Sequence, residues 1–418
     1  MENRVLKNSK YHLNMVKTLK FKTTRMQISF AGDFLEQTVT KRSLLPYLLN
    51  SISEKYPTRE SMSIYLEDMY AANFNVGISK IGLTHFLSFD LSFINDDFTF
   101  ENESLFERAV SFLHEVLFNP KFDQQILEEE TRLLKEFYEA SYANKMKYTI
   151  QKHHEVMFSE ELYRINPLGR ASDLTNISLS DMIQTYHQMM QNDLIVITIV
   201  GDIDFDMTEK LISETFDFTE REYLPILLDT KMKHIKEVTK AIEEIDVNQA
   251  KLVVGYRGLP HYLGDDYYPA IVFNNIFGAS SESLLFKEVR EEKGLVYFIS
   301  SSYDPYKGVM FVTSGINEDD YEQVVLTIDE VLTKIINKEV SNQLLEVSKN
   351  IVVNHLIESL DSAHSLMTRF QRNSLFGIDF DIEQMIEIIQ QVTISEVAEI
   401  AKNLKKDTIY LLRGEQHD

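Results

Sequence analysis

The 418-residue chain contains no cysteine. That excludes disulfides, thiolate metal sites and cysteine nucleophiles, and it suits a reducing cytoplasm. A long apolar run is missing too: the most hydrophobic segment, Leu194 to Val200, is far too short to span a bilayer. The first 24 residues are basic but have no apolar centre of the secretory kind. These absences predict a cytoplasmic protein that stays out of membranes. Positive charge is scarce, with 42 Lys and Arg against 65 Asp and Glu and a net charge of −23. Such a surface repels nucleic acid and anionic lipid and favours cationic partners or peptides.

Several chemical signatures are also absent. No G-x-x-x-x-G-K-[ST], G-x-G-x-x-G or G-x-S-x-G run occurs, so glycine-loop nucleotide binding and a serine-hydrolase elbow are unsupported. Neither H-E-x-x-H nor H-x-x-E-H is present. His153-His154-Glu155 is the densest His/carboxylate group. Adjacent residues on a helix point about 100° apart, so this reads as a surface cluster rather than a metal site. His355 and Glu358, with His364 beyond, read as a solvated helix face.

What is present is the composition of a globular protein with a sizeable core, 44% hydrophobic and 26% charged. Alternation over 11–32 predicts one or two strands. A helical pattern follows from Lys41 to Ile52, with Pro46 near its start, and another carries Met62, Tyr65, Leu66 and Met69. Asn73–Ile81 and Thr84–Ile94 read as a strand pair, 102–118 as an amphipathic helix, 123–158 as one long helix and Leu194–Gly201 as a buried strand. The second half repeats this order. Gln27–Gly32 corresponds to Leu252–Gly258, and Ser61–Tyr70 to Ser281–Arg290, 281 − 61 = 220 residues later. The fold class expected is α+β, two homologous α/β-sandwich halves in tandem, at 1–225 and 246–418, joined by a linker at 226–245.

One stretch combines helix, turn and strand signals, Gly278 to Tyr303. Ser280 and Ser281 are candidate helix caps, and Leu284, Leu285 and Val289 form an apolar stripe. Lys293-Gly294 ends the helix, and Leu295–Ile299 leaves it as a strand. Arg290 and Tyr297 then flank a tight junction where a guanidinium and a phenol could meet a carbonyl, carboxylate or oxyanion. From periodicity alone the plainer account is an Arg on a solvated face and a Tyr in a core.

The duplicated halves, the run Val289-Arg290-Glu291-Glu292-Lys293-Gly294-Leu295-Val296-Tyr297, Glu54–Pro57 and Asn166–Arg170 together resemble the pitrilysin/insulinase (inverzincin) metallopeptidases over nearly the whole chain. The similarity is to the smaller two-domain bacterial type that lacks the zinc motif. The resemblance implies insulinase-like halves forming part of a clam-shell chamber. Active members carry H-x-x-E-H, in which two His bind zinc and the Glu activates water. Anchored on Glu54–Pro57, the corresponding positions are Ser43, Pro46 and Tyr47, none of which supplies a His ligand or a base. The family's third ligand matches Glu136, a vestigial position. Arg290 and Tyr297 match the family's substrate-binding Arg/Tyr pair.

The resemblance therefore implies a chain inactive alone and binding no cofactor. It would be the substrate-binding subunit of a heterodimeric zinc peptidase whose zinc sits in a homologous partner that carries the motif. Peptides are the implied substrate, and a homodimer is possible when the partner is absent. A structural or interaction protein that keeps the fold without proteolysis is the alternative. A relocated metal at His153, His154 and Glu155 is a third.

Overall fold

In a computed structural model, the structure describes residues 1–100, 103–222, 226, 228–231, 233–262, 264–378 and 381–414. Six strands form one sheet: β1 (Glu2–Lys7), β2 (His12–Lys17), β3 (Thr23–Asp33), β4 (Asn73–Ile81), β5 (Thr84–Ile94) and β6 (Leu194–Gly201), ordered β1-β2-β6-β3-β5-β4. Five form another: β7 (Thr239–Glu244), β8 (Ala250–Arg257), β9 (Val296–Asp304), β10 (Val309–Ile316) and β11 (Lys405–Arg413), ordered β7-β11-β8-β10-β9. Without β1 the two orders coincide. The parallel pair β2·β6 matches β7·β11, and the remaining neighbours in both sheets run antiparallel. The fold is the expected α+β duplication.

The strand β6 is buried along its whole length because both of its faces are covered. Ile195, Ile197 and Ile199 join the main core of the first unit, while Leu194, Val196 and Val200 enter two smaller clusters on the opposite face. The same division holds in the second sheet, where Leu252, Val254 and Tyr256 face one core and Val253 another.

The covering of that second face departs from the boundaries read from sequence. The compact units are Met1–Tyr138 with Asn166–Leu227 and Glu358–Phe380, and Glu139–Ile165 with Leu228–Ile357 and Asp381–Asp418. Each half thus lends a segment to the other. The helix Lys145–Met157 lies on the second sheet, where Met157 and the adjacent Phe158 pack with Val253 and Phe311. A Cβ on Gly255 would come within 2.5 Å of His153 and Met157, so the bare backbone of β8 lets this helix approach closely. Reciprocally, Leu366, Met367 and Phe370 of the helix Ala363–Phe376 pack with Val16 and Val200 of the first sheet.

The long helix expected over 123–158 is accordingly two, Gln124–Ala143 and Lys145–Met157. Asn144 separates them and caps the second, its Oδ1 accepting the Lys147 N–H at 3.1 Å. Within the expected linker, Thr239–Glu244 is the strand β7, and residues 227 and 232 lie outside the described residues. The edge strand β1 carried no sequence signal that set it apart.

Candidate functional site

The helix Val39–Leu49 carries Ser43, Pro46 and Tyr47, the positions that the resemblance sets against a zinc motif, and Pro46 lies in its C-terminal half rather than near its start. Ser43 is fully buried, and its Oγ donates to the carbonyls of Thr40 (2.9 Å) and Leu168 (2.5 Å). Pro46 is buried inside the helix and offers no side-chain donor or lone pair. Tyr47 is half-buried, and burial, reinforced by the charge of Glu130, holds its phenol above the usual tyrosine range and therefore neutral. One turn earlier, Arg42 makes a buried 2.7 Å ion pair with Asp193 and donates to the His85 carbonyl at 3.2 Å. This helix is fastened by its polar groups.

Glu136, the expected vestigial ligand, is exposed and accepts a 2.7 Å hydrogen bond from Arg132 on its own helix. The carboxylate beside Tyr47 is Glu130 instead. It occupies the buried stripe Leu127, Glu130, Leu134, Tyr138, where the 3–4 spacing would place an apolar residue. A charged residue interrupting that stripe was the signal available in the sequence. Arg59 Nη2 donates to Glu130 at 2.5 Å, and Tyr47, Ser51, Arg59 and Glu130 line a cavity of about 310 Å³. Burial pushes the Glu130 carboxyl up, and Arg59 opposes that shift.

Zinc needs a converging set of unengaged His, Cys or carboxylate ligands. Here one position is a hydroxyl committed to two carbonyls, one is a proline, one a neutral phenol, and the nearby carboxylate is already neutralised by Arg59. The residues do not fit the metal. The group at 153–155 does not converge either. His153 is buried with Nε2 3.4 Å from the Thr408 carbonyl, and burial lowers its pKa to about 4; His154 stacks on Phe158.

The second stretch behaves differently. Its helix spans Leu285–Glu292 and is wound with π geometry, so Lys293 N–H reaches back five residues to the Glu288 carbonyl. The cap is Ser283, whose Oγ accepts from Phe286 N–H at 3.4 Å, rather than Ser280 or Ser281. Gly294 adopts φ +63°, as a helix-ending glycine requires, and Leu295 N–H bonds to the Val289 carbonyl at 3.0 Å, folding the strand back tightly.

Arg290 is exposed with its guanidinium 4.6 Å from the Phe286 ring centroid, and among the described residues no carboxylate pairs with it. Tyr297 is 60% exposed. In the β9·β10 register Gly315 faces Phe298 and Ile316 faces Val296, which leaves Tyr297 as the extra residue of a bulge. The bulge turns Tyr297 away from the core between the buried Val296 and Ile299. The Tyr297 phenol donates to Asn317 Oδ1 at 3.2 Å; no hydrogen bond joins it to Arg290 among the described residues. Asn317 is a site residue that sequence reasoning missed.

Comparison with known proteins identifies the class. Residues 176–352 match the family model described as the peptidase M16 inactive domain. The chain is 29% identical over 406 residues to the probable inactive metalloprotease YmfF of Bacillus subtilis, covering 96% of this chain and 95% of that protein. A solved structure of a conserved protein from Enterococcus faecalis V583 superposes with a TM-score of 0.94 at 28% identity, covering 100% of this chain and 99% of that one. A peptidase M16 inactive domain from Pseudomonas fluorescens shares the fold alone, with a TM-score of 0.83 at 15% identity and full coverage of both chains. Fold and site thus define a non-catalytic protein built on a peptidase scaffold. The chain is similar to M16 peptidase-family proteins, through the match over residues 176–352 and the likeness to YmfF along nearly its whole length.

Proposed function

We propose that this chain is the substrate-binding subunit of a heterodimeric zinc metallopeptidase that acts on peptides, with the zinc held by a homologous partner. The observation that carries the reading is the contrast between its two motif regions. The helix at 39–49 has its polar groups committed to structural bonds, while Arg290 and Tyr297 hold polar tips at the surface. In that role Arg290 holds a peptide carbonyl or carboxylate, and Tyr297 donates its O–H to the scissile carbonyl oxygen as that oxygen gains charge. Asn317 positions the phenol at rest. The net charge of −23 favours cationic, extended peptides. Among the described residues no helix is long and apolar enough to cross a membrane, and with the absence of cysteine this supports a cytoplasmic setting.

The test is hydrolysis of a peptide set by this chain, by a homologue carrying H-x-x-E-H from the same cell, and by their mixture. Activity confined to the mixture and abolished by Arg290→Ala supports the assignment. An inert mixture, or a homologue fully active alone, overturns it. The result would then favour a purely structural or interaction role, with which the existing Tyr297–Asn317 hydrogen bond is also compatible. Size-exclusion chromatography of the chain by itself checks whether it forms a homodimer without the partner.

A further inference from the structure

The ends of β2, β3 and β5, the turn after β6 and the helices Leu105–Phe118 and Phe205–Thr215 enclose a cavity of about 570 Å³, lined wholly by the first unit. That volume lies within the range of small-molecule sites, about 300–1,000 Å³. Phe93, Phe106, Ile203, Met207 and Leu211 give it an apolar surface, and Met207 is 73% exposed. Six carboxylates and two lysines complete the charged part of the lining. Two helix N-termini beside the cavity would by themselves attract an anion. Their N–H groups are already taken. Asp96 Oδ1 accepts from Leu105 and Phe106 N–H at 2.9 and 3.3 Å, Ser104 Oγ from Glu107 N–H at 3.3 Å, and Asp204 Oδ1 from Met207 N–H at 2.9 Å. Three further carboxylates, Asp97, Glu107 and Asp202, are exposed, and among the described residues their side chains have no ion-pair or hydrogen-bond partner. Their unneutralised charge turns the site toward a cation.

Thr208 is the second, independent observation. It lines the cavity at 3% exposure, and its hydroxyl has no hydrogen-bond partner among the described residues. The Asp204 carbonyl one turn back, which such a hydroxyl often uses, accepts the Thr208 N–H at 3.0 Å instead. A buried hydroxyl facing a cavity without a partner offers its lone pairs to a ligand N–H. The carboxylates select the shape of that ligand. Among the described residues no three His, Asp or Glu side chains converge to hold a metal ion, so a compact divalent cation is poorly served. Separated carboxylates beside an apolar surface instead match ammonium groups spaced along methylenes, which lie on apolar side chains while their charges reach outward.

We propose that this cavity binds a linear alkyl polyammonium ion, with its methylenes on Phe93, Phe106 and Met207 and its ammonium groups on Asp97, Glu107 and Asp202. One ammonium N–H donates to Thr208 Oγ1. The site needs neither a partner chain nor peptide hydrolysis, so it stands or falls apart from the role assigned to Arg290 and Tyr297.

The test is equilibrium dialysis of the full chain against radiolabelled spermidine at constant ionic strength, with the fully acetylated, uncharged spermidine as control. Retention of spermidine but not of its acetylated form is expected. Glu107→Gln and Asp202→Asn should each weaken it by about three- to fivefold, the worth of one exposed ion pair. Thr208→Val, which keeps the side-chain shape, should weaken it by about fivefold through the lost hydrogen bond. Glu383→Gln, an exposed carboxylate of the second unit, should leave retention unchanged. Melting curves establish that the variants are folded. A loss at Glu383→Gln as large as at Asp202→Asn overturns the inference, because binding would then be diffuse attraction to a chain of net charge −23. Absence of retention overturns it as well, as does equal retention of the acetylated form. Tighter retention of N-acetyl-lysine amide than of spermidine overturns the choice of a polyammonium ion in favour of a lysine side chain.

Discussion

The helix Val39–Leu49 and the stretch Leu285–Tyr297 belong to opposite halves of a duplicated fold, and their polar groups are used in opposite ways. In the first, Ser43 is fully buried, Arg42 is closed in an ion pair with Asp193, and Arg59 neutralises Glu130. In the second, Arg290 has no carboxylate partner among the described residues and Tyr297 stands 60% exposed on a bulge. Removing a polar group from the first region should cost stability, and removing one from the second should cost function.

The largest effect expected from breaking this contrast is at Asp193. Asp193→Ala leaves the buried Arg42 guanidinium without its counter-charge, a loss of about 3–5 kcal/mol. Urea unfolding should show the midpoint falling steeply; a shift under ~1 kcal/mol would mean that the pair does not fasten this helix. Next is Tyr297→Phe in the two-chain mixture. Losing one oxyanion donor lowers kcat by about 10²–10³, with melting temperature unchanged. An unaltered kcat would remove Tyr297 from the proposed role.

A third prediction concerns acid. His12 and His153 have pKa values lowered to about 4, and His85 to about 3, in each case mainly by burial. Each ring binds its proton less readily folded than unfolded. Below the ordinary value of 6.5 the unfolded chain therefore takes up more protons, so stability is complete above that pH and falls as pH drops toward about 4. The cost is on the order of 2 kcal/mol per fully buried ring. Urea midpoints between pH 7 and 4.5 measure it, and His153→Leu should flatten the slope; a flat profile in the parent protein would contradict this burial. The smallest effect is Arg290→Ala on the chain alone, within about 0.5 kcal/mol of the parent. A larger loss would turn Arg290 into a structural residue and erase the contrast.

Some of this was legible residue by residue. The alternation in 73–94 predicted β4 and β5, and the helix-ending role of Gly294 followed from Lys293-Gly294 before a β-branched and aromatic run. Local signals failed where two acceptable choices lay side by side. Ser280, Ser281 and Ser283 are equivalent as caps by residue type, and only the structure shows that Ser283 Oγ is the one that accepts a helix N–H, that of Phe286. The resemblance matched Glu136 to a vestigial ligand position; which carboxylate of the helix Gln124–Ala143 turns inward was a separate matter, and it is Glu130, with Glu136 left in solvent. Asn317 could not be tied to Tyr297 without the register of β9 on β10, because the bulge that aims the phenol is a property of the pair.

By itself the sequence determined the duplication and the α+β class. Those depend on residue type and order, which periodicity reads directly; the comparison of positions 43, 46 and 47 with a zinc motif is what the family resemblance implies. Only the tertiary structure decided which sheet each amphipathic helix covers. An apolar stripe on Lys145–Met157 or Ala363–Phe376 requires an apolar surface to bury it, but both sheets offer one. The exchange is settled by fit: the bare Gly255 lets His153 and Met157 approach β8, and Leu366, Met367 and Phe370 fill the space over Val16 and Val200.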